Sequence, residues 1–192
     1  MLNRSTFIHL GLLCALLLAA CGGSRQGPSA ESPLNAQQAA LFEDGIDILS
    51  DPKALQDNWR TDWETETRAR VKESDRAVLG HITTLRTQED PGRAVSYHIV
   101  VAIDKTLLGE PIGNEVVLVS REGSAGYGVV AEQGDHLLRL DVIAFIKYAN
   151  DGGAVVPHFH LVIPSEPVYG AIDERLKHTP GHEVKIIEHT QK

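Results

Sequence analysis

Apolar positions recur with two different periods along the chain, and the change falls near Asp75. Between Ala36 and Asp75 the spacing is helical and comes in two pieces. The first, AQQAALFEDGIDIL, sets Leu41, Ile46 and Leu49 among polar residues and ends at Ser50, Asp51 and Pro52. Ser50 or Asp51 can cap a second helix that holds the proline in its first turn, where a missing N–H leaves no bond unmade. In that helix Leu55, Trp59, Trp63 and Val71 recur at multiples of four, a stripe with Thr67 in its gap. Glu64 with Arg68, and Glu66 with Arg70, add exposed pairs worth about 0.2–0.5 kcal/mol each. The stripe assigns both tryptophans to the core, with a ligand-stacking or partner surface as the alternative.

Beyond Asp75 the pattern alternates, first in AVLGHITTL and then, after a turn around Glu89 to Gly92, in AVSYHIVVAI. A hairpin centred between Glu89 and Asp90 sets Ile82 opposite Tyr97, Gly80 opposite Ile99 and Val78 opposite Val101, making one face apolar. On the other face it sets His81 opposite His98 and Thr83 opposite Ser96; a slip of one residue would bury the histidines. Three further strands begin at Glu115 (EVVLVS), Asp141 (DVIAFIKY) and Ala154 (AVVPHFHLV), the last two joined by NDGG, which suits positive φ. In the last strand Val155, Phe159 and Leu161 alternate with His158 and His160, and Pro157 requires an edge or a bulge. The expected fold is α+β: N-terminal helices packed on a small, mainly antiparallel, five-stranded barrel or sandwich, forming one domain over residues 36–192. The segment REGSAGYGVVAEQGD, with Gly123, Gly126 and Gly128, is expected to be a mobile surface loop, with recognition of a partner as the alternative.

The N-terminus carries a different signal. Arg4 precedes an apolar stretch from Phe7 to Ala20, broken only by His9 and Gly11. This is shorter than the roughly 20 apolar residues that span a bilayer, and it fits the apolar region of an export signal, so residues 1–20 are expected to be removed. Leu18, Ala19, Ala20 and Cys21 resemble the lipobox of bacterial lipoproteins, a branched residue and two small ones before the cysteine that becomes the mature N-terminus. The resemblance implies a diacylglyceryl group on the Cys21 thiol and a third chain on its new amine, enough acyl chains for stable anchoring. The other cysteine, Cys14, lies in the discarded segment, which leaves the mature chain without a disulfide. From Gly22 to Asn35 the chain is rich in Gly, Ser and Pro and is expected to be a flexible tether. An Asp after the cysteine resembles an inner-membrane retention signal in many Gram-negative bacteria; Gly22 stands there instead, which implies the outer membrane if the source is Gram-negative. The whole mature chain is similar to bacterial envelope lipoproteins, which implies a cell-envelope address.

From Ser74 onward, SDRAVLGHITTLRT, YHIVVAIDKTLLGE, EVVLVS and DVIAFIKY resemble OB-like domains of exported bacterial proteins, including TIMP and netrin-type modules. The resemblance implies an OB-like barrel over roughly half of the chain. It departs from the TIMP inhibitors at their active feature, a disulfide-tied N-terminal cysteine whose free amine grips a metal. Cys21 would be acylated and separated from the barrel by a tether and helices, which argues against metalloprotease inhibition.

Composition narrows the function further. The chain has 192 residues and a net charge of -8, with 26 acidic against 18 basic residues, which argues against nucleic acid as a partner. Ser50 and Lys53 satisfy S-x-x-K, but proline intervenes and the companion motifs of penicillin-binding folds do not follow. The glycine-rich segment lacks the Gly-Lys-Ser/Thr end of a P-loop, and His182-Glu183 is not continued into H-E-x-x-H. The histidines are the chemically suggestive residues. His81 with His98, and His158 with His160, could each offer two imidazoles to zinc or copper; the plainer reading is of solvent-facing or hydrogen-bonded strand histidines. Without an assembled acid, base and nucleophile, the sequence points to a non-enzymatic binding or structural module with no cofactor beyond its lipid. Its expected partners are the membrane, through that lipid, and an envelope protein or glycan, with a metal-binding or metal-dependent protein as the alternative.

Overall fold

The computed structural model of the chain describes residues 32–89, 92 and 94–178. The described residues form four α-helices and six strands, an α+β architecture. In chain order these are α1 (Ala36–Leu41), β1 (Gly45–Asp47), α2 (Asp57–Glu73), β2 (Arg76–Glu89), β3 (Val95–Leu108), β4 (Glu115–Arg121), α3 (Ala125–Leu137), β5 (Asp141–Asp151), β6 (Ala154–Val162) and α4 (Glu166–Lys177). The strands make one open, mixed sheet in the order β1-β6-β5-β2-β3-β4. All neighbours are antiparallel except β1, which runs parallel to β6.

The alternation in β5 shows how one sheet serves two cores. Val142, Ala144 and Ile146 join a buried cluster with Ile82, Ile99, Val101, Leu118, Phe159, and Val130 and Leu137 of α3. Ile143 and Phe145, on the opposite face, join Leu41, Phe42 and Val71, and Val168 and Ile172 of α4. Successive residues from Val142 to Ile146 thereby alternate between the two clusters.

The β2–β3 hairpin departs from the expected register. Its last pair is Glu89 with Val95, closing around Gly92 at φ 112°, so the connection is longer than the two-residue centre expected between Glu89 and Asp90. Three irregularities interrupt the ladder, with an extra residue at Thr83 of β2 and at Asp104 and Leu107 of β3. Ile82 therefore faces Val101, Gly80 faces Ile103 and Val78 faces Thr106. His81 faces Ala102, and His98 faces Arg86 rather than His81. Gly80 is required at its position, because a Cβ there would lie 2.0 Å from the carbonyl oxygen of Ala102.

Three other expectations are corrected. The helix expected over AQQAALFEDGIDIL stops at Leu41, where Asn35 and Gln38 form a capping box at its start and Phe42 ends it. Ile46 and its neighbours instead pair with His160, Leu161 and Val162, supplying the sixth strand. Pro52 lies in a separate 3₁₀ turn, Pro52–Ala54, where the Asp51 side chain accepts from the Lys53 N–H; it is not in the first turn of α2. The glycine-rich segment after β4 is not a loop but largely α3. Its glycines weaken helix propensity, yet docking Val130 and Leu137 into the core compensates.

Gly126 permits close seating of α3. A Cβ would lie 2.3 Å from the Asp44 carbonyl oxygen, which accepts from the Gly126 N–H at 3.0 Å. Asp44, at φ 54°, also accepts from the Phe159 N–H through its carboxylate at 3.2 Å. One residue thus ties β6 to the start of α3. Pro157 sits where β6 pairs with β5 alone, since the ladder to β1 begins only at His160, and NDGG forms its turn with Gly152 and Gly153 at positive φ.

Candidate functional site

Helix α2 presents two faces of different fate. Val71 is buried, Thr67 is 2% exposed and Trp63 is half-buried, so the apolar stripe holds over its C-terminal part. Trp59, one turn earlier, is 76% exposed and does not belong to the core. Both expected pairs form, Glu64 with Arg68 at 3.3 Å and Glu66 with Arg70 at 2.9 Å. The second is more than a surface pair: Arg70 is buried and also donates to the Leu41 carbonyl at 3.2 Å, binding α1 to α2.

Helices α2 and α4 run side by side, and the seam between them is a groove. Its first part, about 280 Å³, is lined by Trp63, Glu64, Thr67, Arg68, Gly170 and Glu174, among others. It continues past Arg68 and Glu174 into a wider part of about 490 Å³ bordered by Val71, Lys72 and His178. The Trp63 indole N–H donates to Asp47 Oδ2 at 2.7 Å, while Asp47 Oδ1 accepts from the Leu49 N–H. The ring is thus held by β1 rather than free to turn. At the groove floor the buried Thr67 hydroxyl has no hydrogen-bond partner among the described residues, whereas Thr65 donates to the Thr61 carbonyl at 2.7 Å. Gly170 leaves the α4 wall open, with no atom within 4 Å of where its Cβ would stand. The Lys53–Glu166 ion pair fastens the 3₁₀ turn to the start of α4, lowering the Glu166 pKa and raising that of Lys53.

The residues singled out from sequence are scattered by comparison. Cys21 lies outside the described residues, as do His182 and Glu183. His81 Nδ1 lies 3.2 Å from Asp104 Oδ2, and in the β2–β3 ladder it faces Ala102, four residues along β3 from His98. His98 stands beside Arg86 on one side and Val119 on the other. His158 Nδ1 lies 3.4 Å from Asp44 Oδ1. His160, only 6% exposed, faces Phe145 and Gly45, and neither ring nitrogen has a hydrogen-bond partner among the described residues. Burial, aided by the Arg70 charge, lowers its pKa to about 3, so the ring is neutral at ordinary pH. Among the described residues no three His, Cys, Asp or Glu side chains gather in a way that could hold a metal ion.

The groove was only half legible beforehand. The gap at Thr67 in the α2 stripe was its sequence trace, but nothing in the pattern announced α4 as the opposite wall. Among the described residues no helix is long and apolar enough to cross a membrane. Compared with known protein families, curated proteins and solved structures, the chain matches none.

Proposed function

We propose that this chain is a lipid-anchored cell-envelope protein, acylated at Cys21, whose domain acts as a non-catalytic binding module. The observation that carries the binding role is Trp59, a large indole 76% exposed on the helix turn next to Trp63 and the α2–α4 groove. A single exposed apolar side chain is ordinary on a protein surface, but an indole one turn from a groove enlarges the surface a partner can cover, and aromatic side chains are over-represented where partners bind.

The anchor reading rests on Leu18-Ala19-Ala20-Cys21. Ser32 accepts a hydrogen bond from the Asn150 N–H, so the segment leading from Cys21 joins the domain beside the β5–β6 hairpin. The stretch between Cys21 and Ser32 reaches at most roughly 40 Å when extended. That keeps the domain close to a bilayer surface, facing the outer membrane's environment if the source is Gram-negative.

The OB-like reading is supported by β2 to β6. Their order, β6-β5-β2-β3-β4, with α3 between the third and fourth of them, suits a five-stranded barrel left open at one seam. The contacts of Asp44 bridge that seam by linking β6 to α3.

Labelled palmitate and membrane fractionation test the anchor. Wild type is expected to incorporate the label and to sediment with membranes. Cys21→Ala is expected to lose the label and accumulate as uncleaved or mislocalised precursor. An unlabelled wild type whose partition matches that of Cys21→Ala removes the lipoprotein reading.

A further inference from the structure

We infer that the α2–α4 groove is a saccharide-binding site, with the Trp63 and Trp59 rings as its stacking platform and neutral oligosaccharides as its ligands. The inference rests on the reading of this groove as the module's binding face. Three features select the ligand class. First, Trp63 lines the groove and is fixed by its bond to Asp47, while Trp59 stands one turn earlier on the same side of α2, outside the groove's lining, so a second, exposed indole extends the ring surface that Trp63 begins. Ring faces of this kind suit the apolar C–H faces of sugars, as they suit other flat partners.

Second, the walls between the rings and the far end are polar and planar rather than greasy. Glu64, Arg68 and Glu174 present carboxylates and a guanidinium, which pair with vicinal hydroxyls as acceptors and donors. An amphipathic peptide helix would require a row of apolar anchors, and beyond Trp63 this part of the groove offers only Pro167 and Ala171. Third, charge in the first part of the groove disfavours an anionic ligand. There Arg68 is matched by Glu64 at 3.3 Å and Glu174 adds a negative charge, whereas Lys72, Arg175 and His178 line only the wider part.

The chain supplies its own reporter. Its two tryptophans are Trp63, which lines the groove, and Trp59, one turn away, so intrinsic emission reports on this end of the groove. Full-length protein in detergent is titrated with neutral tetrasaccharides: β-1,4-linked N-acetylglucosamine, β-1,4-linked glucose and α-1,4-linked glucose. At least one is expected to give a saturable emission change. Gly170→Leu, whose side chain would grow into the open groove, is expected to weaken that binding by about tenfold or more, equivalent to about 1.4 kcal/mol. Trp59→Ala is expected to weaken it comparably, and Glu122→Gln, at a distance, to leave it unchanged. Circular dichroism of Gly170→Leu should match wild type, since its Cβ meets no atom within 4 Å and the rest of the side chain extends from there toward the groove.

If no tetrasaccharide changes the emission, but a peptide mixture does so in wild type and not in Gly170→Leu, the saccharide inference falls and the binding-face reading stands. Saccharide binding that Gly170→Leu leaves untouched overturns the site. Emission unmoved by any saccharide or peptide removes both readings.

Discussion

At the scale of the residue, His160 is the least expected feature of the molecule. A neutral imidazole with neither nitrogen bonded among the described residues costs stability, on the order of 1–3 kcal/mol for the desolvated group. Its native pKa of about 3 lies below the ordinary 6.5, so the unfolded chain takes up the proton first as the medium is acidified. The neutral ring is therefore tolerated fully above about pH 6.5, and stability falls between there and pH 3, by up to about 1.4 kcal/mol per pH unit. His160→Leu is expected to equal or exceed wild type in urea unfolding at pH 7, and to gain on it steadily as the pH drops to 4. Parallel stability curves for the two proteins would contradict the burial. Sequence alternation put His160 on the polar side of β6 with His158, because alternation names faces and does not say which faces are covered. Helices whose positions the strand pattern does not specify cover that one.

At the scale of the element, α3 and the β2–β3 hairpin show which signals fail. Helix α3 was hidden by Gly126, Gly128 and Gly134, which lower intrinsic propensity but here have separate consequences. Gly126→Ala is expected to destabilise by about 1–3 kcal/mol, since its methyl group meets the Asp44 carbonyl oxygen. Gly128→Ala, with nothing within 4 Å, is expected to stabilise by about 0.5–1 kcal/mol. Thermal unfolding of the pair settles it: two changes of the same sign would refute the seating of α3 on Asp44. In the hairpin, the strands were legible because burial imposes a two-residue period, whereas the register depended on turn length and on irregularities that leave the polar pattern unchanged. The His81–His98 pairing failed for that reason.

At the scale of the whole molecule, the proposed anchor and the domain meet at Ser32, the first described residue and one already hydrogen-bonded to Asn150. Arg25 is the only basic residue between Cys21 and Ser32. Brief trypsin treatment of membranes is expected to cut there first and release a fragment beginning at Gln26 whose melting temperature matches that of the intact protein. Retention of the cut fragment on membranes would mean that the domain itself holds the bilayer. The saccharide groove belongs to this scale as well, because its walls come from helices separated by most of the sheet in sequence.

The sequence by itself determined the α+β class, five of the six strands, the two i,i+4 ion pairs of α2 and the expectation of a lipidated Cys21, all of which depend on neighbours within a few positions. Only the tertiary structure decided the rest: the sixth strand, the hairpin register, the burial of His160, the exposure of Trp59 and the groove beside it. Each of these depends on which distant segment reaches a given surface first, and the three-residue strand Gly45–Asp47 becomes a strand only because the edge of β6 is there to receive it.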